Sequence, residues 1–430
     1  MSIGPTFLGG AQSRLLPPSV PFRFFIAGIA FHILMWAFLF YAADLAPDFA
    51  GGPGPALAAL HLLTLGVFGT VAIGAALQML PVATRRPMPA AWPLRLAFWL
   101  YVPGVLVLVH GMANYSPAWM AAGGVLAGGG LFVLAWLLAG NLRQASDLPL
   151  VSAYGWLAVS SLFILVLLGL GLVFDFSAAL LPDHRAVALA HLTIAVFGFM
   201  GMLAIGFSHV LVPMFTLAAA PTGTIGRIGL GAWAAAILIC TAGALAAAPW
   251  LFALGLCLAL AGTGIYLWTM NAIWTKRMRK RMGLSFLLVR ISWAVLPLGL
   301  VLALAATFDL LGPRGPAIAG FVLLWGWLLT FLMGILQRIM PFLASMHAAK
   351  IKGKPPLLSE LTAERPLQIH AYGHLAALVL AVAGIAFGIP LLIQAGAAAG
   401  FFAALAFAAF ALVLVRRLFS NNEVAASSNA

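Results

Sequence analysis

The polar residues of this 430-residue chain are confined to short segments between long apolar runs. The runs fall at about 22–43, 57–81, 95–113, 118–140, 151–173, 186–213, 228–247, 250–271, 284–306, 316–340, 367–390 and 392–415. Each is long enough to cross a hydrocarbon layer. A backbone in lipid finds no solvent partner, so Leu-, Ala- and Phe-rich runs of this length are expected to pair their N–H and C=O groups internally, as helices. Gly and Pro punctuate the gaps: GGPGP at 51–55, PTG at 221–223 and PRGP at 313–316. The small-residue stretch at 121–129 suits close helix packing. The pattern predicts an all-α, polytopic membrane protein with twelve transmembrane helices, in one domain spanning 1–430.

Composition narrows the function classes. Hydrophobic residues make up 64% of the chain and charged residues 7%, with a mean hydropathy of +1.11. A soluble domain carries roughly a quarter charged residues, so this chain cannot clothe a water-soluble globule, and its composition is the opposite of a disordered one. Cys240 and Cys257 both lie in apolar runs, which argues against a disulfide framework or a CxxC site. The first 21 residues show no cleavable signal peptide: Arg14 is their only charge, Pro17 and Pro18 interrupt them, and no small-residue cleavage pattern follows.

The net charge of +13 acquires meaning when sorted by loop. With the N terminus inside, 20 of the 22 basic residues fall on the inner side and only Arg185 and Arg314 fall outside. Asp44, Asp48, Asp175, Asp183 and Asp309 lie outside with them. A wrong span count would scramble this asymmetry, so it supports twelve spans with both termini cytoplasmic, as in a bacterial-type inner membrane. The basic clusters at 276–281 and 350–354 sit beside span ends, where they meet anionic lipid headgroups rather than nucleic acid. The segment 341–366 is expected to be a basic, Pro-containing connector.

The second, sixth and tenth runs look related. HLLTLGVFGTVAIGAALQMLP (61–81), HLTIAVFGFMGMLAIGFSHVLVP (191–213) and FVLLWGWLLTFLMGILQRIMP (321–341) are all glycine-bearing and end in a polar residue shortly before proline: Gln78, His209 and Gln337. They start about 130 residues apart. This predicts three four-helix units, at approximately 22–140, 151–271 and 284–415. Glycines at related depths would let the three helices approach one another or something bulky.

Histidine supplies the unusual polar content. No other ionisable side chain lies deep in a run, which leaves little basis for proton pumping by buried carboxylates. An intramembrane histidine is costly and needs a partner or a ligand, and neutral imidazole ligates haem iron and copper well. His61 and His191 open related runs near the outer face, and either ligates a cofactor or makes a helix-end or interhelical hydrogen bond. His110 ends the third run on the same side, and His184 belongs to an outer loop. His209 follows His191 by 18 residues, five full turns, so the two share a helix face about 27 Å apart. His209 therefore belongs to the inner side, where His370 and His374 stand one turn apart at the start of the eleventh run. These three either form a second candidate site or serve separate sites as ligands and supporting groups, with Gln78 and Gln337 at similar depth. His32 lies mid-run, and His347 is expected in a loop. Nothing points to nucleophilic catalysis. The twelve-span count also suits a secondary transporter, but no broken-helix pair or buried carboxylate accompanies it.

The histidine-headed, glycine-rich runs resemble the haem-copper oxidase subunit I superfamily, including its nitric-oxide-reductase-like and NnrS-like branches. The resemblance implies twelve helices in a pseudo-three-fold arrangement, a haem-ligating role for His61, with Gly66, Gly69, Gly74 and Pro81 behind it, and a metal-ligand position for His191. The seventh and tenth runs lack the histidines that complete the family's copper centre and its haem ligation, so oxygen reduction is not carried over. What the resemblance implies is an NnrS-like membrane haem protein of respiratory or nitric-oxide metabolism. Haem b would be held among His61, His191, His370 and His374, with copper as a further cofactor over these and His209, and with a haem or redox protein as partner. A non-catalytic transporter or assembly factor for haem or copper is the rival class. No catalytic residue is assigned.

Overall fold

The computed structural model describes residues 15–84, 91–145, 148–219, 223–352 and 355–427. Arg14, Arg85, Arg86, Pro221 and Lys354, which enter the loop and charge reading above, lie outside the described residues. Twelve helices are long and apolar enough to cross a membrane: α1 (Ser19–Tyr41), α2 (Pro55–Pro81), α3 (Trp92–Ala113), α4 (Pro117–Leu142), α5 (Pro149–Ala178), α6 (His184–Thr216), α7 (Thr224–Leu245), α8 (Pro249–Thr275), α9 (Gly283–Thr307), α10 (Gly315–Ala349), α11 (Glu364–Phe387) and α12 (Pro390–Leu418). No strand occurs among the described residues. Because the number of spans is even, α1 starts and α12 finishes at the same end of the bundle, called here the terminal end.

The helices are arranged in two layers. α2, α6 and α10 are the most enclosed, with 67, 61 and 83% of their apolar windows buried, against 39–56% for the other nine. The nine form a surrounding ring. Within it α3 packs on α4, α7 on α8 and α11 on α12 as hairpins, and the ring continues through α4–α5 and α8–α9 and closes through α12–α1. Trp99, Trp136, Leu167, Leu238, Trp268, Val379 and Phe402 are exposed on the ring helices, an apolar exterior suited to lipid.

The three hairpins share one turn, written in a glycine and a proline six residues apart. The turns are GMANYSP (111–117), GALAAAP (243–249) and GIAFGIP (384–390). In each, the glycine carbonyl accepts from the amide five residues on: Ser116 to Gly111 at 2.9 Å, Ala248 to Gly243 at 2.9 Å and Ile389 to Gly384 at 2.8 Å. The residue before that donor is left-handed, with φ of 54° at Tyr115, 48° at Ala247 and 66° at Gly388. The proline then opens the next helix, where a missing N–H costs nothing. The glycines serve packing as well as turning. A Cβ at Gly111 would strike the Met120 backbone, one at Gly243 the Phe252 backbone and one at Gly384 the Ile393 backbone.

The inner helices carry a second repeated feature. Each contains eight residues of wider π-helix: Leu62–Gly69, Ile194–Gly201 and Val322–Leu329. Long π segments are rare and frequent near functional sites. Their glycines admit bulky neighbours. A Cβ at Gly66 would meet the Phe31 ring, one at Gly69 the Tyr101 hydroxyl and one at Gly201 the Trp327 indole. Tyr101 donates to the Leu65 carbonyl at 2.7 Å, tying the ring to the first π segment.

The segment after Pro341 corrects an expectation. The predicted connector at 341–366 is helical as far as Lys352, and a single turn, Leu358–Leu361, follows. The extension holds because it buries a stripe of Met340, Leu343, Ala344, His347 and Ala348 at helical spacing against the bundle. The Phe342 ring meets Phe215 edge-on at 5.9 Å, and Ser345 donates to the Pro356 carbonyl at 2.8 Å. His347, expected in a loop, is therefore a buried helical residue. α2 and α6 likewise continue as helix three residues beyond Pro81 and Pro213.

Candidate functional site

His61 and His191 occupy the end of the bundle opposite the termini. His61 immediately precedes the π segment of α2, and His191 stands three residues before that of α6. They lie six and seven residues into their spans, about 9 and 10 Å along the axis. Both are half-buried. His61 Nδ1 donates to the Leu57 carbonyl at 3.0 Å. That bond fixes the tautomer and leaves Nε2 with a lone pair, the arrangement common to metal-ligating histidines. His191 packs on Gly169 of α5, where a Cβ would lie 3.0 Å from the ring.

A second cluster lies between α1, α10, α11 and α12. His32, His370 and His374 are all at most 1% exposed. The His370 and His374 rings are nearly parallel, 14° apart with centroids at 5.8 Å, and His32 meets His370 edge-on at 6.1 Å. Phe407 of α12 closes over His370 at 4.8 Å. Trp36 donates to His32 Nε2 at 3.0 Å, Gln337 contacts His370 Nδ1 at 3.2 Å and Thr330 contacts His374 Nε2 at 2.9 Å. Four polar atoms in this small volume remain buried and unpartnered: His32 Nδ1, His370 Nε2, His374 Nδ1 and Gln337 Oε1. Leaving one such group unmade costs about 1–3 kcal/mol, so a concentration of four demands an explanation.

His209 does not join His370 and His374. Its Nδ1 donates to the Ile205 carbonyl at 2.8 Å, and its ring stacks on Tyr154 of α5 at 5.5 Å and faces Tyr266 of α8 at 6.3 Å. Tyr266 in turn donates to Ser208 and accepts from the Trp293 indole, both at 3.0 Å. Gln337 supports His370 as its depth suggested, whereas Gln78 Oε1 instead accepts from the Leu16 amide at 3.3 Å. His110 is exposed beside Asn114 and Trp119. His184 pairs with Asp175 at 2.8 Å in the α5–α6 turn.

The donor sets differ in what they suit. His61 and His191 come from separate helices, and His61 keeps a lone pair on Nε2. His370 and His374 lie on one face of one helix with parallel rings held by Gln337 and Thr330, so they cannot take opposite faces of one haem. Among the described residues no three His, Cys, Asp or Glu side chains are grouped to hold a metal ion. No family model matches the chain, and no curated protein matches it in sequence.

His32, Thr330 and Trp36 were not readable as parts of one site. His32 is a lone mid-span histidine, and its only local signal is Trp36 one turn on. Thr330 reaches His374 across 44 positions of sequence.

Proposed function

We propose that this multi-pass membrane protein binds haem b through His61 and His191 and serves respiratory or nitric-oxide-related metabolism. In this reading it lies in a bacterial-type cytoplasmic membrane with both termini inside. The observation that carries the reading is an imidazole beside the π segment of each of two inner helices, with the His61 tautomer fixed by a backbone carbonyl so that its Nε2 keeps a lone pair. Haem iron supplies one-electron transfer when two imidazoles ligate it, and NO or O₂ binding when one position stays open. The chain's part is to hold the imidazoles. Leu57 orients His61, Gly169 gives His191 room, and the apolar ring helices keep bulk water from the bundle's middle.

Absorbance of the purified protein, reduced minus oxidised, together with iron and copper analysis, tests this reading. A Soret band with stoichiometric iron is expected. His61→Ala and His191→Ala should each lose at least 80% of it, and His110→Ala none. A preparation without a Soret band and without stoichiometric iron overturns the proposal and returns the rival reading, a transporter or assembly factor.

A further inference from the structure

We propose that the corner between α8 and α9, at the terminal end of the bundle, binds the phosphate of an anionic phospholipid between Arg277 and Arg290. The site is independent of any cofactor at His61 and His191. Its platform is Trp274, in the last turn of α8. The Arg277 guanidinium lies over this indole at 4.3 Å and the Arg290 guanidinium at 5.1 Å, and Phe286 stacks on it at 5.9 Å. The two cations are therefore no more than about 10 Å apart, a Debye length in about 0.1 M salt, so each feels the other's charge. An aromatic face holds a cation in place but leaves its charge intact.

Nothing nearby in the chain neutralises the pair. No Asp or Glu occurs between Asp183 and Asp309. Among the described residues the ion pairs are His184–Asp175 and Arg314–Asp48, both at the opposite end. Arg277 donates from Nη1 to the Trp274 carbonyl at 2.8 Å, and its Nε is buried without a partner. Among the described residues the Arg290 guanidinium meets the Trp274 ring and no hydrogen-bond acceptor. Lys276, Lys280 and Arg281 on the same turn are exposed and raise the local positive potential.

The corner is built before any ligand arrives. Arg338 of α10 donates through Nε to Ser285 at 2.7 Å and through Nη2 to the Met282 carbonyl. The Arg279 amide donates to the Thr216 carbonyl at the end of α6 at 3.2 Å. A turn tied to two inner helices loses little freedom on binding.

The surroundings of Arg290 select a lipid as the source of the phosphate. Arg290 stands seven residues into α9, about 10 Å along its axis, and is exposed. Leu287, Ala294 and Leu298 share its helix face and are exposed as well. An arginine in such a lipid-facing stripe lays its stem on the apolar surface and carries its charge back toward the polar boundary, here to Trp274. A phosphodiester whose acyl chains run along Leu287 and Leu298 satisfies the cations and the stripe together. A free phosphate satisfies only the cations, and a choline headgroup brings an ammonium beside two guanidinium groups.

The test is native mass spectrometry of the full chain released from detergent, titrated with phosphatidylglycerol or with phosphatidylcholine of the same acyl chains. The first phosphatidylglycerol should bind several-fold more tightly than the first phosphatidylcholine. Arg290→Gln and Arg277→Gln should each weaken it about fivefold, the contribution of one arginine beside an anionic headgroup. Arg416→Gln removes an exposed arginine from the same end of the bundle, on α12, and should leave the affinity within about twofold. Excess inorganic phosphate should not displace the lipid. Because Arg290 is exposed, Arg290→Gln should keep the wild-type unfolding temperature in lipid-free detergent, which separates lost binding from lost folding. Equal binding of the two lipids, an Arg416→Gln loss as large as that of Arg290→Gln, or displacement by inorganic phosphate would each overturn the proposal.

Discussion

Thr330 and Thr70 each follow a π segment, are both fully buried, and do different work. The Thr70 hydroxyl donates only to carbonyls of its own helix, Gly66 and Val67. Thr330 also holds His374. Replacing Thr330 with Val leaves His374 Nε2 unpartnered, so it should cost about 1–3 kcal/mol, and Thr70→Val clearly less. Thermal unfolding of both variants in one detergent checks the order, and equal losses would remove Thr330 from the cluster. Tyr101→Phe loses one buried bond to the Leu65 carbonyl and should cost about 0.6–2 kcal/mol in the same assay, the range of hydrogen bonds between membrane helices. At this scale the intramembrane histidines were legible in the sequence, but the π segments put His61 and His191 at different register, one and three residues before them. The sequence did not reveal which residues hold the histidines, because those bonds join distant positions. The pairing of His209 with His370 and His374 followed from depth alone. Depth says nothing about position around the bundle, and Tyr154 and Tyr266 hold His209 on another side.

The helices themselves were legible to within a few residues, because lipid-length apolar runs leave the backbone one solution. Their ends were less so. The apolar runs end at 81, 213 and 340, yet in each case the helix runs on, and past Pro341 a buried stripe offsets the lost bond. The hairpins offer a sharper test. Gly243 stands against the Phe252 backbone, whereas a Cβ at Gly264 on the partner helix meets nothing within 4 Å. Gly243→Leu should force α7 and α8 apart and destabilise by about 1–3 kcal/mol. Gly264→Leu should be close to neutral. Similar unfolding temperatures for the two would contradict backbone-to-backbone packing in the hairpin.

Over the whole molecule the three turns, the three π segments and the closed ring give the chain a pseudo-three-fold form. That form accounts for spacings near 130 residues, although the shared glycine and proline of the turns do not stand out among 45 glycines and 26 prolines. The symmetry is broken by chemistry, with His370 and His374 in the third unit facing His32 of the first, and Tyr154, His209 and Tyr266 in the second. The charge asymmetry makes an independent prediction about orientation. Reporter domains fused after Tyr115 or Ala247 should be active only outside, and one fused at 418 only inside. The reverse pattern would invert the bundle. On the proposed reading, His61 and His191 hold an iron cofactor at the end of the bundle opposite the terminal end. The reduced-minus-oxidised spectrum of purified wild-type protein beside His61→Ala tests it most directly. A Soret band with stoichiometric iron in the first, lost in the second, is the predicted result; a wild-type protein without that band, or a band unchanged by the substitution, would contradict it.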